Sequence, residues 1–283
     1  MFTTLIDPAS LASHLDDPHW IVVDCRFDLT DRAAGEEQYR DGHIPGAHYA
    51  HLDRDLSGSK TGMNGRHPLP SPHEMRERFG RLGIGDGRQV VAYDADSGIF
   101  AARLWWMLRY MGHDAVAVLD GGLARWVRDG HATRGGVEDV APATFVGEPR
   151  PDARVTVEEV LAGLSDANRV LVDARSNERY RGDGETLDAV GGHIPGAVNF
   201  FWQENVAEDK AFKSPADLRT EWQRLLAGRR PNQVVMYCGS GVTACANLLG
   251  MAHAGLEGAR LYAGSWSEWS QDAKRPVATG ADL

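Results

Sequence analysis

The sequence predicts an α/β protein made from one unit used twice, each copy a mostly parallel β-sheet flanked by helices. Three observations predict it. Long segments return in the same order. Ile21-Val22-Val23-Asp24-Cys25-Arg26 comes back as Val170-Leu171-Val172-Asp173-Ala174-Arg175, and Asp41-Gly42-His43-Ile44-Pro45-Gly46-Ala47 as Gly191-Gly192-His193-Ile194-Pro195-Gly196-Ala197. Gln89-Val90-Val91-Ala92-Tyr93-Asp94 comes back as Gln233-Val234-Val235-Met236-Tyr237-Cys238, and Leu119-Asp120-Gly121-Gly122 up to Trp126 as Tyr262-Ala263-Gly264-Ser265 up to Trp269. Offsets of roughly 143 to 150 residues mean two copies of a long unit rather than many short repeats. Within each copy, strand-like runs alternate with helical patterns. Those runs are apolar throughout instead of at every second residue, the pattern of strands covered on both faces.

The elements follow in order. The N-terminal copy, residues 1–135, reads as a helix over 11–15, a strand over 21–26, a helix over 72–82, a strand over 89–94 and a helix over 101–111. Trp105 and Trp106 fall in the last helix as core residues, and Arg103 either lines a cleft wall or makes a surface ion pair. Residues 136–153, with Pro142, Pro149, Pro151 and no helical period, read as a linker over the surface. The C-terminal copy, residues 154–283, gives helices over 157–164, 215–227 and 242–254 and strands over 170–175 and 233–237.

Composition narrows the function. A length of 283 residues allows one large domain or two of about 140. A hydrophobic content of 42% beside 25% charged residues is enough for a real core. The formal charge of −10 argues against nucleic acid or an anionic membrane as partner, and an anionic ligand then needs local positive groups. Three cysteines, Cys25, Cys238 and Cys245, do not make a disulfide framework, which points to a reducing compartment. The first twenty residues carry Asp7, Asp16 and Asp17 without a basic segment or a long apolar run, so they do not read as a targeting peptide. No stretch approaches the ~18 apolar residues of a membrane span. The expected location is the cytoplasm.

The chemistry gathers at Tyr237-Cys238-Gly239-Ser240-Gly241-Val242-Thr243-Ala244-Cys245. A cysteine ends an apolar strand, and two glycines and a helix start follow. Parallel sheets bind ligands outside the carboxyl ends of their strands. Such a turn aims backbone N–H groups at one spot, and the helix N-terminus adds partial positive charge there. A thiolate gains from that environment. Packing alone does not ask for so open a loop around Ser240. The repeat aligns Cys238 with Asp94, and Ala95-Asp96-Ser97-Gly98 after it supply no nucleophile, so the N-terminal copy reads as catalytically silent. A cysteine phosphatase would need an arginine six residues after the cysteine, where Ala244 stands. A non-catalytic binding module is the other alternative, which the intact Cys238 opposes. His43 and His193 recur in both copies, the silent one included, and therefore read as structural, bonded to nearby backbone. Cys245 falls two turns along from Cys238, and no second Cys/His pair has zinc-ligand spacing.

These residues resemble the two-domain rhodanese-type sulfurtransferases over nearly the whole chain. The resemblance rests on both GHIPGA segments, Ala102-Arg103-Leu104-Trp105-Trp106-Met107, Leu119-Asp120-Gly121-Gly122-Leu123, Gly264-Ser265-Trp266-Ser267-Glu268-Trp269 and the Cys238–Ala244 loop, which is similar to the 3-mercaptopyruvate branch. It implies a ping-pong reaction. Cys238 takes sulfur from a small anionic donor, 3-mercaptopyruvate or alternatively thiosulfate, and passes it from a persulfide to cyanide, a low-molecular-weight thiol or a thioredoxin-like acceptor. No metal or organic cofactor is implied. The backbone N–H groups of Gly239, Ser240, Gly241, Val242, Thr243 and Ala244 would stabilise the sulfur anion as an oxyanion hole does oxygen. Arg179 is implied to grip a donor carboxylate. Ser240, His67 and Asp53 are implied to form a relay that moves a proton to or from the reacting groups. The family's second carboxylate-binding arginine has no counterpart in Asp183-Gly184-Glu185-Thr186-Leu187-Asp188-Ala189-Val190-Gly191, which leaves Arg181 as the candidate and keeps thiosulfate open.

Overall fold

In the computed structural model, which describes residues 1–281, the chain gathers into two compact units. The first comprises Met1–Gly58, Pro70–Arg150 and Val206–Phe212; the second comprises Ser59–Leu69, Pro151–Asn205 and the chain from Lys213 onward.

The first unit runs β1 (Leu5–Ile6), α1 (Pro8–Ala12), β2 (Trp20–Asp24), α2 (Ala34–Asp41), β3 (His48–Tyr49), α3 (Pro72–Arg81), β4 (Gln89–Tyr93), α4 (Ala101–Tyr110), β5 (Val116–Leu119) and α5 (Gly122–Arg128). Its five strands lie in the order β1-β5-β4-β2-β3, and every pairing is parallel. The second unit runs β6 (Arg154–Val155), α6 (Val157–Ala162), β7 (Val170–Asp173), α7 (Asn177–Arg181), β8 (Ala197–Asn199), α8 (Pro215–Leu226), β9 (Val234–Tyr237), α9 (Ala244–His253), β10 (Arg260–Tyr262) and α10 (Ser265–Trp269). Its order, β6-β10-β9-β7-β8, is the same with the same parallel sense, so the sequence repeat is a repeat of topology.

Local chemistry explains where the helices begin. Ser71 and Thr156 each close a capping box, with Glu74 and Glu159, and Pro72 and Pro215 pre-set the backbone of a first turn. The helix expected over residues 11–15 instead spans Pro8–Ala12, because Asp7 accepts the Ser10 N–H at 2.9 Å and Pro8 opens the turn. The short helices α2, α5, α7 and α10 gave no readable period, since each has only a few positions to bury.

The repeated segments hold the sheets from within. Asp24 and Arg26 form a buried pair at 2.6 Å, as do Asp173 and Arg175. Each arginine also donates to the carbonyl just before the repeated histidine, Gly42 at 2.8 Å and Gly192 at 2.6 Å. His43 bonds Tyr39 O at 2.7 Å and stacks on that ring; His193 bonds Tyr180 O at 2.8 Å and stacks likewise. Both histidines are therefore structural, as their repetition implied.

One expectation changes. Arg103 is not at the surface: it is fully buried and donates to Leu56 O at 3.2 Å, while Trp105 and Trp106 do pack in the core. Residues 136–150 of the proline-bearing connection group with the first unit. Ala143 N–H donates to Gly80 O at 2.9 Å, and the buried Phe145 ring meets Phe79 edge-on.

Candidate active site

Cys238 is the first residue beyond β9 and is 1% exposed. The loop returns on itself at Gly241, whose φ of 75° is the left-handed region, and a Cβ there would lie 2.2 Å from Ala263 O. That turn brings the Gly241 N–H to 3.1 Å from Cys238 Sγ, as a donor to the sulfur. α9 begins directly behind the loop with Thr243 as N-cap and no side-chain capping bond, so the positive end of its dipole lies beside the thiol. Val242 and Ala244 are buried in the same turn, and Cys245 stands in the first turn of α9, not two turns in, donating to Gly241 O at 3.4 Å.

The start of α10 holds the cysteine from beneath. Ser265 Oγ accepts the Cys238 N–H at 3.1 Å, and the N–H groups of Trp266 and Ser267 donate to the carbonyls of Cys238 and Gly239, each at 2.9 Å. Ser265 has φ of 57°, a strained value for a residue with a side chain. Its counterpart in the first unit is Gly122, with φ of 55°. There a Cβ would lie 2.7 Å from Asp94 O. The second unit thus keeps a serine where the backbone favours glycine, and that hydroxyl is spent on the cysteine.

The segment Ser59–Leu69 brings two side chains to the loop. His67 Nδ1 lies 2.8 Å from Ser240 Oγ, both groups buried. Next to it, Arg66 reaches Gly239. A Cβ on Gly239 would be 2.8 Å from Arg66 Nη2 and 3.3 Å from Arg179 Nη2, so two guanidinium groups flank the residue after the cysteine. Arg179, on α7, also bonds Glu185 through Nε and Nη2 at 3.1 and 2.9 Å. Asp188 bridges the two, one carboxylate oxygen on Arg66 and the other 3.5 Å from Arg179. Burial pushes the Glu185 carboxyl up, but the Leu187 N–H and the guanidinium groups of Arg179 and Arg175 outweigh it and hold the group below the usual carboxylate range.

The structure therefore brings Cys238, Gly239, Ser240, Gly241, His67 and Arg179 into one neighbourhood. Asp53 lies in the first unit, where its carboxylate is 3.4 Å from Arg32 and its N–H donates to His51 Nδ1 at 3.1 Å. Arg181, the candidate second anchor, pairs instead with Asp183 at 3.4 Å. Sequence reasoning missed Arg66, Ser265 and Ser267. Arg66 adjoins His67 in Gly65-Arg66-His67, so a neighbour of a residue assigned to the loop was its available signal. Ser265 was marked by the exchange of Gly-Gly for Gly-Ser between the copies.

In the first unit the equivalent loop is already filled by its own anion. Asp94 accepts N–H bonds from Gly98 at 2.9 Å, Phe100 at 2.8 Å, and Asp96 and Ala101 at 3.3 Å. A buried carboxylate tied in this way is not available to attack an electrophile.

A model of the rhodanese-like domain matches residues 7–129 and again residues 156–272. The chain is 45% identical over 278 residues, 98% of both proteins, to a probable 3-mercaptopyruvate sulfurtransferase of Pseudomonas aeruginosa. It is 34% identical over 272 residues to the thiosulfate sulfurtransferase of Rattus norvegicus, covering 93% of this chain and 89% of that protein. Among solved structures, the 3-mercaptopyruvate sulfurtransferase of Escherichia coli superposes with a TM-score of 0.82 at 32% identity, over 94% of this chain and all of that one. Two matches to one domain, two sheets of one topology and a cysteine at the end of the same strand in the second copy agree: the chain belongs to the rhodanese family of sulfurtransferases, with both domains in a single polypeptide.

Proposed function

We propose that the protein moves a sulfane sulfur from 3-mercaptopyruvate to a thiophilic acceptor through a persulfide on Cys238. The observation that carries the reading is the Cys238 thiol beneath the Gly241 N–H, with two guanidinium groups beside the next residue and a Ser240–His67 hydrogen bond beside the one after. The Cys238 thiolate attacks the donor's sulfur. An S–S bond forms, the C–S bond breaks, and its electron pair leaves with the carbon as pyruvate enolate. The enolate takes a proton to become pyruvate, relayed through Ser240; the Ser240–His67 hydrogen bond at 2.8 Å supports that role. Arg179 holds the donor carboxylate. In the second half-reaction an acceptor such as cyanide, a small thiol or a thioredoxin-like protein attacks the outer sulfur and releases the Cys238 thiolate. The loop N–H groups from Gly239 to Ala244 stabilise the anionic sulfur in both halves. Asp53 enters as third member of the relay on the resemblance alone. Three buried thiols fit a reducing, cytoplasmic setting.

Steady-state kinetics with cyanide as acceptor, comparing mercaptopyruvate with thiosulfate, tests the donor. A higher kcat/KM for mercaptopyruvate is expected, and a ratio favouring thiosulfate reassigns it. Cys238→Ser should remove turnover and the added mass of one sulfur atom after donor treatment, while Ser240→Ala should lower kcat for mercaptopyruvate by about tenfold or more with thiosulfate little affected.

A further inference from the structure

We propose that the second unit carries a separate site for a small aliphatic α-amino acid, its carboxylate on Arg154 and its ammonium between Glu268 and the Tyr262 hydroxyl. A cavity of about 270 Å³ lies between β6, the end of β10, α10 and residues 64–69, all within that unit. Three of its polar side chains have capacity to spare. Tyr262 is 1% exposed, and its buried hydroxyl completes no hydrogen bond. An orphaned buried hydroxyl is costly, and a ligand atom within reach removes that cost. The Glu268 carboxyl faces the phenol, and burial holds it above the usual carboxylate range. An ammonium beside it favours the ionised form. Arg154 is exposed, and its guanidinium makes no ion pair or hydrogen bond among the described residues, although its charge reaches Glu268. Asn64 and Thr156, in the same lining, are already spent on Thr61, Ser59 and Glu159.

The charges select the ligand. A guanidinium and a carboxyl in one small cavity complement a zwitterion, and Glu158 adds a second acid to the lining, so a bare anion is disfavoured. Val155, Val157 and Leu69 supply the apolar part, which suits an aliphatic side chain. The fold itself does not require the three polar groups. Strand register sets Leu5 beside Val118 and Ile6 beside Leu119 in the first copy, and Arg154 beside Leu261 and Val155 beside Tyr262 in the second. Arg154 thus stands where the first copy has Leu5, and Tyr262 where it has the buried Leu119. Glu268 stands where the first copy has Arg125, which is paired with Asp120 at 2.6 Å. Ala263 takes the place of Asp120, and that ion pair is gone. Leucine serves at two of these positions in a sheet of the same topology, so packing is not what the polar groups provide. The cavity also adjoins the support of Cys238. Glu268 lies so close over Gly264 that a Cβ there would overlap its carboxyl, and the next residue, Ser265, takes the Cys238 N–H. Neither Arg179 nor Ser240 lines it.

The competing role is a structural pair of Tyr262 with a protonated Glu268, which has no use for Arg154 and binds nothing. Isothermal titration calorimetry of the full chain with L-valine and L-alanine separates the two, with isobutylamine and isovalerate as ligands that keep a single charge. The wild-type protein should bind at least one of the amino acids saturably, and both single-charge ligands about tenfold more weakly or worse. Arg154→Ala and Glu268→Gln should each weaken amino-acid binding by about tenfold, and Tyr262→Phe by about threefold or more. Arg179→Ala should leave it within about twofold, because the groups proposed for the sulfur donor lie elsewhere. Thermal melting controls for folding, and the exposed Arg154 can be replaced without opening the core. No saturable binding of either amino acid overturns the proposal, as does a single-charge ligand of equal affinity. Binding within about twofold of wild type in Arg154→Ala also overturns it. Loss of binding in Arg179→Ala does so too, by placing the amino acid in the donor site. None of these outcomes depends on which donor the protein uses.

Discussion

Cys238 owes its placement to groups that do not react. Its amide is taken by Ser265 Oγ, its carbonyl by the Trp266 N–H, and its sulfur by the Gly241 N–H, so the thiol is fixed from three directions in a site that water barely reaches. Ser265 shows the cost most plainly. A left-handed backbone with a side chain is disfavoured by roughly 1–2 kcal/mol, and the first copy avoids this with Gly122. Retaining strain beside Cys238 fits a positioning role for the cysteine that the proposed transfer uses. Ser265→Gly should therefore leave stability within about 1 kcal/mol, relief of strain offsetting the lost hydrogen bond, while kcat falls by about tenfold because the cysteine amide loses its partner. Melting temperature and kcat measured on the same preparation check it; unchanged kcat would make the strain unrelated to catalysis.

Among the elements, the loop between β9 and α9 decides what the sheet can do. Its two glycines are needed for different reasons. A Cβ on Gly241 would strike a main-chain oxygen at 2.2 Å in a conformation with positive φ, and the backbone has no easy retreat. A Cβ on Gly239 would meet only the tips of Arg66 and Arg179, which are flexible. Gly241→Ala should thus cost about 2 kcal/mol or more and abolish transfer. Gly239→Ala should fold with near-wild-type stability, within about 1 kcal/mol, and raise KM for mercaptopyruvate by severalfold as the guanidinium groups are pushed aside. Denaturant melts beside KM values distinguish the two, and equal destabilisation would show that the arginines cannot yield.

Across the whole molecule, duplication has produced two loops whose backbone N–H groups turn toward the side chain that ends the strand, Asp94 in one copy and the Cys238 sulfur in the other. In the first copy burial pushes the Asp94 carboxyl up against the pull of the loop N–H groups, so its hold on the loop rests on those hydrogen bonds. Asp94→Asn would turn an amide N–H toward backbone N–H donors, and the first unit should lose about 2–3 kcal/mol. Calorimetry of the full chain should show earlier melting, with kcat unchanged at 25 °C. Wild-type melting would mean that the four N–H groups do not depend on the carboxylate.

The amino-acid sequence by itself determined the duplication and the parallel sheets and singled out Cys238 at a strand's end, because buried strands and glycine turns are local patterns that a repeat makes visible twice. Asp24-Cys25-Arg26 and Asp173-Ala174-Arg175 could be matched without knowing what they bind. It likewise marked His43 and His193 as structural by their presence in both copies, including the one with Asp94 in the place of Cys238. Tertiary structure alone decided the charge of the site. Arg66 lies over a hundred residues from Cys238 in the chain, and the local run 183–191 holds acids where an arginine was sought, so the shortfall in the sequence and its remedy in space could not be joined by spacing. The physical reason is range: strand and turn signals act over a few residues, whereas a guanidinium acts on whatever the fold sets within a few ångströms of it.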